Sequence, residues 1–258
     1  MACVKRGRWY LPKVLIAPSH YNDSRRPGIE IYNSAVQLST DCTHTSTMDG
    51  IDVQQSSLST PATRGYQQEM LEESLHKNII IALDTGSGKT LIAVLRLKHE
   101  IDREPTKVCI PVPPIINALT LLQVCWFFAP TVALCEQQKS VIQTYLPVSV
   151  GLISGSLEPD QWRNAALWEK VIRTHRVMVS TPQVFLDALR HGYLVLGRDI
   201  CLLVFDEAHH AVDNHPYNRI MQEFYFDLPI QGSDLVRPAV LGLTASPIYG
   251  GNVVKAFQ

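Results

Sequence analysis

Ile79-Ile80-Ile81-Ala82-Leu83-Asp84-Thr85-Gly86-Ser87-Gly88-Lys89-Thr90-Leu91-Ile92-Ala93-Val94-Leu95 is the stretch whose reading decides the fold. An apolar run enters a glycine-rich turn, and the turn opens into a second apolar run headed by Lys and Thr. The pattern is strand, loop, helix. Such a turn lets successive backbone N–H groups curl around phosphate oxygens at a helix N-terminus, where the helix dipole also favours an anion. Thr85, Gly86, Ser87 and Gly88 would form the cradle, Lys89 would reach the outer phosphates, and the Thr90 hydroxyl would ligate Mg²⁺. The full loop pattern wants Gly where Leu83 stands. A plain glycine turn between a core strand and a core helix is the competing reading, and Gly-x-Gly-Lys-Thr after a β-rich run argues against it.

The 258 residues suffice for one large α/β domain with a sizeable core, plus a tail. With 23 basic against 24 acidic residues, no global field draws in nucleic acid, so any such binding must come from local loops and helix ends. The six cysteines show no metal-ligand spacing and fall partly in apolar runs, which reads as buried, reduced thiols in an intracellular protein. No run approaches the length of a membrane span. The basic N-terminus (Lys5, Arg6, Arg8, Lys13) leads into Val14-Leu15-Ile16-Ala17, too short for a secretory signal; a mitochondrial address is the weaker alternative.

Residues 1–60 show no sustained period, and 33–63 are rich in Ser, Thr, Asp and Gln, as expected of a disordered tail. Met48 stands close to where pattern begins, so the natural start is expected there, with 1–47 a spurious extension. A folded domain is expected over 61–258. Within it, residues 108–123 have three prolines and no charge between a helix and a strand. Connections there normally take two to six residues. Val108-Cys109 can be encoded by bases resembling a donor splice site, Leu119-Thr120 by CTAAC and Gln123 by CAG. A retained intron of sixteen codons is therefore expected, against the alternative of a genuine hydrophobic insertion that binds a partner.

The rest of the chain alternates. Arg64–Leu75 reads as a helix with Met70, Leu71 and Leu75 on one face, and Gln67, just upstream of the loop, can bring its amide to an adenine edge. A helix after Thr90, the strand Val124–Phe128, a helix from Val132 to about Tyr145 and a short strand at Val150–Ser154 follow. Next come a helix begun near Asp160, the strand Val177–Ser180, and a helix from Thr181-Pro182 to Gly192. The strand Cys201–Phe205 precedes an amphipathic helix with Tyr217, Ile220, Met221, Phe224 and Tyr225 at helical spacing. Ala239–Leu243 is the last strand. Apolar strands alternating with helices imply a mostly parallel sheet covered by helices on both faces, with the ligand at the strands' carboxyl ends.

The polar clusters fall at those ends. Asp206 can hold Mg²⁺ beside Thr90, and Glu207 is placed to orient or deprotonate an attacking water. His209 reads as a relay between the nucleotide and neighbouring loops. Adjacent histidines rarely converge on one ion, so His210 and His215 read as structural.

Gln67, Gly86-Ser87-Gly88-Lys89-Thr90, Ala129-Pro130-Thr131, Ser180-Thr181-Pro182, Asp206-Glu207-Ala208-His209 and Thr244-Ala245-Ser246 occur in the order found in superfamily 2 DExD/H-box helicases. The wording of Leu83–Thr90, Ala129–Gln138 and Leu241–Pro247 resembles the helicase part of fungal Dicer-like proteins. Asp187–Tyr193 and Val204–His210 resemble their Dicer-like 2 branch. In that family the position of Leu83 is commonly not Gly.

The resemblance implies a first RecA-like P-loop domain, with ATP and Mg²⁺ as cofactors and double-stranded RNA as partner. It implies that Gln67 reads adenine with Arg64 nearby, and that Lys89, Thr90, Asp206 and Glu207 bind and hydrolyse ATP. Pro130, Thr131, Gly155, Thr181 and Pro182 would line an RNA backbone track by phosphate and 2′-hydroxyl contacts. Thr244 and Ser246 would couple nucleotide state to domain closure. The expected role is the motor lobe of a silencing or antiviral helicase, cytoplasmic rather than nuclear. The second RecA-like domain, its arginine fingers and the RNase III parts would lie outside this chain, so little activity is expected of it alone. The alternatives are an incompetent nucleotide- or RNA-binding fragment and a DNA-directed translocase lobe.

Overall fold

The computed structural model describes residues 63–103, 123–154, 164–229 and 235–245, and the strand Val14–Ile16. The described strands are β1 (Val14–Ile16), β2 (Ile79–Ala82), β3 (Val124–Phe128), β4 (Val150–Ile153), β5 (Val177–Ser180), β6 (Ile200–Phe205) and β7 (Ala239–Thr244). They form one sheet in the order β1-β2-β7-β6-β3-β5-β4, and every pairing is parallel. The helices are α1 (Gly65–His76), α2 (Lys89–Arg103), α3 (Val132–Tyr145), α4 (Ala165–Thr174), α5 (Pro182–Arg190), the single turn α6 (Leu196–Asp199) and α7 (Pro216–Ile220). This is the α/β sheet that the alternating pattern predicts.

Successive side chains of a strand point to opposite faces. Trp126, Phe128, Met178, Leu203, Phe205 and Val240 therefore join one core with α4, α5 and α7. Cys125, Phe127, Val177, Val179, Leu202 and Val204 join the other, with α1, α2 and α3. Both faces being covered is why β3 is buried at every position and why the strands read as unbroken apolar runs. On the first face the ring of Phe128 packs against Phe185 and Phe205, each at 5.0 Å between centroids, and Trp126 lies 4.6 Å from Phe185. The thiol of Cys135 is pushed up to about 11 by burial. That of Cys125 is raised by its hydrogen bond with Cys201, 3.5 Å away, and by burial. Both are protonated, inert core thiols.

The structure departs from the pattern in two places. Val14–Ile16, which shows no strand period, pairs with Ile80–Ala82 as an edge strand. Helix α4 is described from Ala165, with the Asn164 side chain accepting from Ala166 N–H; the expected helix start near Asp160 falls in residues 155–163, outside the described set. The helix at 217–225 is not uniform: α7 gives way at Met221–Tyr225 to a π turn closed by Phe226 N–H to Met221 O. That wider turn accompanies a link to the sheet, since the Tyr225 hydroxyl receives a bond from Asn78 at 2.7 Å and donates to Pro238 O. Asn78 in turn accepts from Val240 N–H. The tail over 1–60, apart from Val14–Ile16, and the suspected insertion, apart from Gln123, lie outside the described residues. Among the described residues no helix is long and apolar enough to cross a membrane.

One ion pair breaks the apolar stripe of α2. Arg96 and Glu100, one turn apart with side chains 3% and 4% exposed, bond to each other at 2.5 Å. Arg96 also donates to Ser74 O of α1, and Arg103 reaches Glu100 from the surface. Glu100→Ala strands the buried guanidinium, so urea unfolding is expected to show a loss of about 3–5 kcal/mol, and adding Arg96→Leu to recover most of it.

Candidate active site

Parallel pairing brings the loop after β2, the acidic pair after β6 and the end of β7 to one edge of the sheet. Leu83 N–H donates to Thr244 O at 3.1 Å, extending the β2–β7 ladder one residue beyond the strands. The chain then turns through Gly86 (φ +80°) and Gly88 (φ +90°), a left-handed conformation that side chains resist. A Cβ on Gly88 would also stand 2.3 Å from Gln67 Nε2, so the amide would have to move. Ser87 closes the turn, its N–H and hydroxyl both bonding to Asp84 O. Lys89 opens α2 and folds back across the loop, its Nζ donating to Leu83 O at 2.7 Å and Asp84 O at 3.2 Å. Thr90 follows it in the first turn.

Helix α1 braces this loop. The Gln67 side chain is buried, 4% exposed; its Nε2 donates to Ser87 O at 3.0 Å and its Oε1 accepts from Arg64 N–H at 2.9 Å. One N–H and one lone pair of the amide are left for another partner. The Tyr66 hydroxyl also donates to Ser87 O, at 2.7 Å, and receives a bond from Arg64 Nη1. The Ser87 carbonyl is thus held from two sides. The sequence reading did not single out Tyr66, and nothing in the pattern marks it except its place beside Gln67.

The acidic pair sits where β6 ends. Asp206 is 9% exposed. Its main chain is held by its own N–H to Phe128 O and by the Tyr217 hydroxyl, which donates to Asp206 O at 2.8 Å. Its carboxylate accepts from Glu207 N–H at 3.1 Å and from Gln138 Nε2 at 3.3 Å. Burial, and then the charge of Glu207, push its pKa up to about 6, against the weaker pull of Lys89. Glu207 has φ +50° and ψ +50°, a left-handed backbone costly for a non-glycine residue, which tips its side chain off the strand line. Its Oε2 is buried and accepts no hydrogen bond.

His209 Nδ1 lies 3.2 Å from that oxygen and 3.0 Å from Thr244 Oγ1. Burial and the neighbouring His210 hold the imidazole below its ordinary pKa. The ring is therefore neutral at neutral pH, and its contact is with Thr244 rather than an ion pair with Glu207. Thr244, 2% exposed, thereby touches the acidic segment through its side chain and the loop entrance through its carbonyl. His209 thus lies between the acidic segment and the end of β7. His210 lies between His209, to which it is tilted, and His215, on which it stacks; His215 caps α7 by accepting from Tyr217 N–H, its pKa pushed down to about 4 by burial and its neighbours.

Among the described residues, no three His, Cys, Asp or Glu side chains are grouped to hold an ion by themselves. The buried Asp206 carboxylate beside a buried Glu207 oxygen that accepts no hydrogen bond is nevertheless a donor set a cation could use. A hard, hydrated ion that takes few protein oxygens and completes its shell with water and phosphate fits that donor set.

Of the remaining predicted residues, the described ones share the edge. Pro130-Thr131 follow β3, and Thr131 caps α3 by accepting from Leu134 N–H. Thr181 stands at the N-cap of α5, with Pro182 at its first position, directly after β5. Gly155 and Ser246 lie outside the described residues. Gln138 and Tyr217 are contacts the sequence reading missed. Gln138 could have been flagged, since it is the polar member of the buried stripe Cys135, Gln138, Ile142 on α3.

Because the folded chain holds the Asp206 proton more tightly than the unfolded chain, ionising it removes stability as pH rises from 3.8 to about 6. The full loss is present above that window and amounts to about 3 kcal/mol. In magnesium-free buffer, Asp206→Asn is expected to raise the unfolding temperature at neutral pH. Thermal melts across pH should show the gain fading as the buffer approaches the ordinary carboxylate pKa.

Residues 64–250 match the family of DEAD/DEAH box helicases. Dicer-like protein 2 of Coccidioides immitis (strain RS) is 46% identical over 202 residues, covering 77% of this chain and 13% of that protein. Dicer-like protein 2 of Cryphonectria parasitica is 41% identical over 191 residues, covering 74% and 12%. The chain thus spans only 12–13% of the length of these curated relatives. The Pyrococcus furiosus Hef helicase domain, 27% identical, shares the fold at a TM-score of 0.55, over 74% of this chain and 34% of that one. By the match over residues 64–250 and the likeness to these relatives, the chain belongs to the DEAD/DEAH box helicase family.

Proposed function

We propose that this domain is the ATP-binding motor lobe of a Dicer-like RNA helicase, coupling ATP binding and hydrolysis to engagement of double-stranded RNA in silencing or antiviral defence. The observation that carries the reading is the Thr244 junction. One residue bonds the start of the phosphate loop through its carbonyl and His209 of the acidic segment through its hydroxyl.

In this reading the N–H groups of Thr85–Thr90 receive the phosphates. Lys89 exchanges its bonds to Leu83 O and Asp84 O for phosphate oxygens. Gln67 keeps its brace on Ser87 and offers its remaining N–H and lone pair to the adenine edge, with Arg64 beside it. Thr90 and Asp206 hold Mg²⁺, which when bound neutralises charge on the phosphates. Glu207 orients and deprotonates the attacking water through its carboxylate, whose Oε2 accepts no hydrogen bond. His209 and Thr244, with Ser246, pass the change to neighbouring loops. Pro130, Thr131, Gly155, Thr181 and Pro182 line the RNA backbone track. The RNA specificity and silencing role rest on the likeness to Dicer-like protein 2 of several fungi. The cytoplasm is the proposed place of action.

A second lobe is expected to close over the nucleotide, and arginines supplied from outside a P-loop are worth ~10³–10⁵ in rate. A polypeptide of these 258 residues is therefore expected to bind ATP weakly and turn it over slowly. Lys89→Ala should abolish magnesium-dependent ATP binding in calorimetry, and double-stranded RNA should compete for the chain better than DNA of the same sequence. ATP binding that is indifferent to Lys89→Ala would refute the nucleotide assignment; preference for DNA would refute the RNA assignment.

A further inference from the structure

Helix α3 buries Cys135 and Ile142 fully, and on the same stripe it buries a glutamine, Gln138, at 7% exposure. A buried amide is costly unless both of its ends are bonded. Gln138 Nε2 donates to Asp206 Oδ2 at 3.3 Å, but its Oε1 is buried with no hydrogen-bond partner. An apolar residue would complete the stripe without that cost. What the glutamine supplies is the contact with Asp206.

Asp206 is otherwise anchored by its backbone, through Phe128 O and the Tyr217 hydroxyl, which fix where the residue sits but not how its carboxylate is turned. Two bonds set that rotation: Glu207 N–H on Oδ1 and Gln138 Nε2 on Oδ2. The first belongs to the next residue in the chain and the second comes from another element. Helix α3 is itself held at its start by Thr131 and by the Cys135 thiol, which points to Ala129 O at 3.7 Å. Gln138 therefore reaches Asp206 from a fixed base.

We propose that Gln138 is a positioning residue for the cation side of the nucleotide site, holding the Asp206 carboxylate in the orientation that receives Mg²⁺. The inference rests on the nucleotide reading above. It assigns to α3 a role distinct from the backbone track at its N-terminus. Hydrogen bonds that orient a ligating carboxylate commonly change metal affinity by about 10–100-fold when removed.

The test compares ADP binding by calorimetry, with magnesium and with EDTA, for the unaltered chain, Gln138→Met and Gln138→Leu. Both substitutions fill the stripe with an apolar side chain of similar size, so two independent packings address the same bond. The expected result is ADP binding weakened about tenfold or more in magnesium and unchanged in EDTA. Equal weakening in both buffers would show a merely structural role and overturn the proposal, as would no change in either. Failure of the unaltered chain to bind ADP in any buffer would instead overturn the nucleotide reading, and this inference with it. Magnesium-dependent binding by the unaltered chain that survives both substitutions would overturn this inference alone.

Discussion

Parallel pairing is the constraint on which the rest of the structure depends. Every strand of the described sheet runs the same way, so every strand ends on the same edge. The loop after β2 and the acidic pair after β6 are more than a hundred residues apart in the chain, yet only β7 separates their strands. The bond from Leu83 N–H to Thr244 O carries the ladder past the strand ends and ties the loop entrance to β7. From there Thr244 reaches His209, so hydrogen bonds join the three segments. A glycine-rich loop alone would bind anions. In the proposed function, its connection to the acidic segment would let hydrolysis be felt elsewhere.

The second theme is the cost of keeping charge inside. Asp206 is held in a place that raises its pKa to about 6, Glu207 adopts a left-handed backbone and buries an unbonded oxygen, and Gln138 leaves its Oε1 without a partner. Each lowers the stability of the folded chain, and all three lie within one turn of chain or one hydrogen bond of the same carboxylate. Strain concentrated in this way is characteristic of sites that bind and react. The Arg96–Glu100 pair is different: it is buried but fully bonded, and it joins α2 to α1 rather than serving the site. Polar residues in apolar stripes therefore mean two things in this protein, and only their partners tell them apart.

Much of the fold was legible because the local signals agreed. The short apolar runs at Ile79–Ala82 and Val124–Phe128, each between helical patterns, became strands of a sheet covered on both faces, and Thr181-Pro182 and Gly192 bracket α5 as cap and stop. Other features were not. Val14–Ile16 is too short to show a period and becomes a strand only because β2 offers it an open edge. The π turn at Met221–Tyr225 keeps the apolar spacing of an α-helix, so periodicity could not reveal it; the bonds of Tyr225 to Asn78 and Pro238 are long-range.

The sequence by itself determined which chemistry is present. Only certain residues can make a phosphate cradle, supply an ammonium and a hydroxyl beside it, or end a strand in two carboxylates, and their order along the chain is a local, covalent fact. The tertiary structure decided how those groups are held. That Gln67 and Tyr66 both grip the Ser87 carbonyl, that a Cβ on Gly88 would collide with Gln67, and that Gln138 turns the Asp206 carboxylate all depend on distances between distant segments. Such distances arise from packing two helical layers on one sheet. No run of neighbouring residues encodes them.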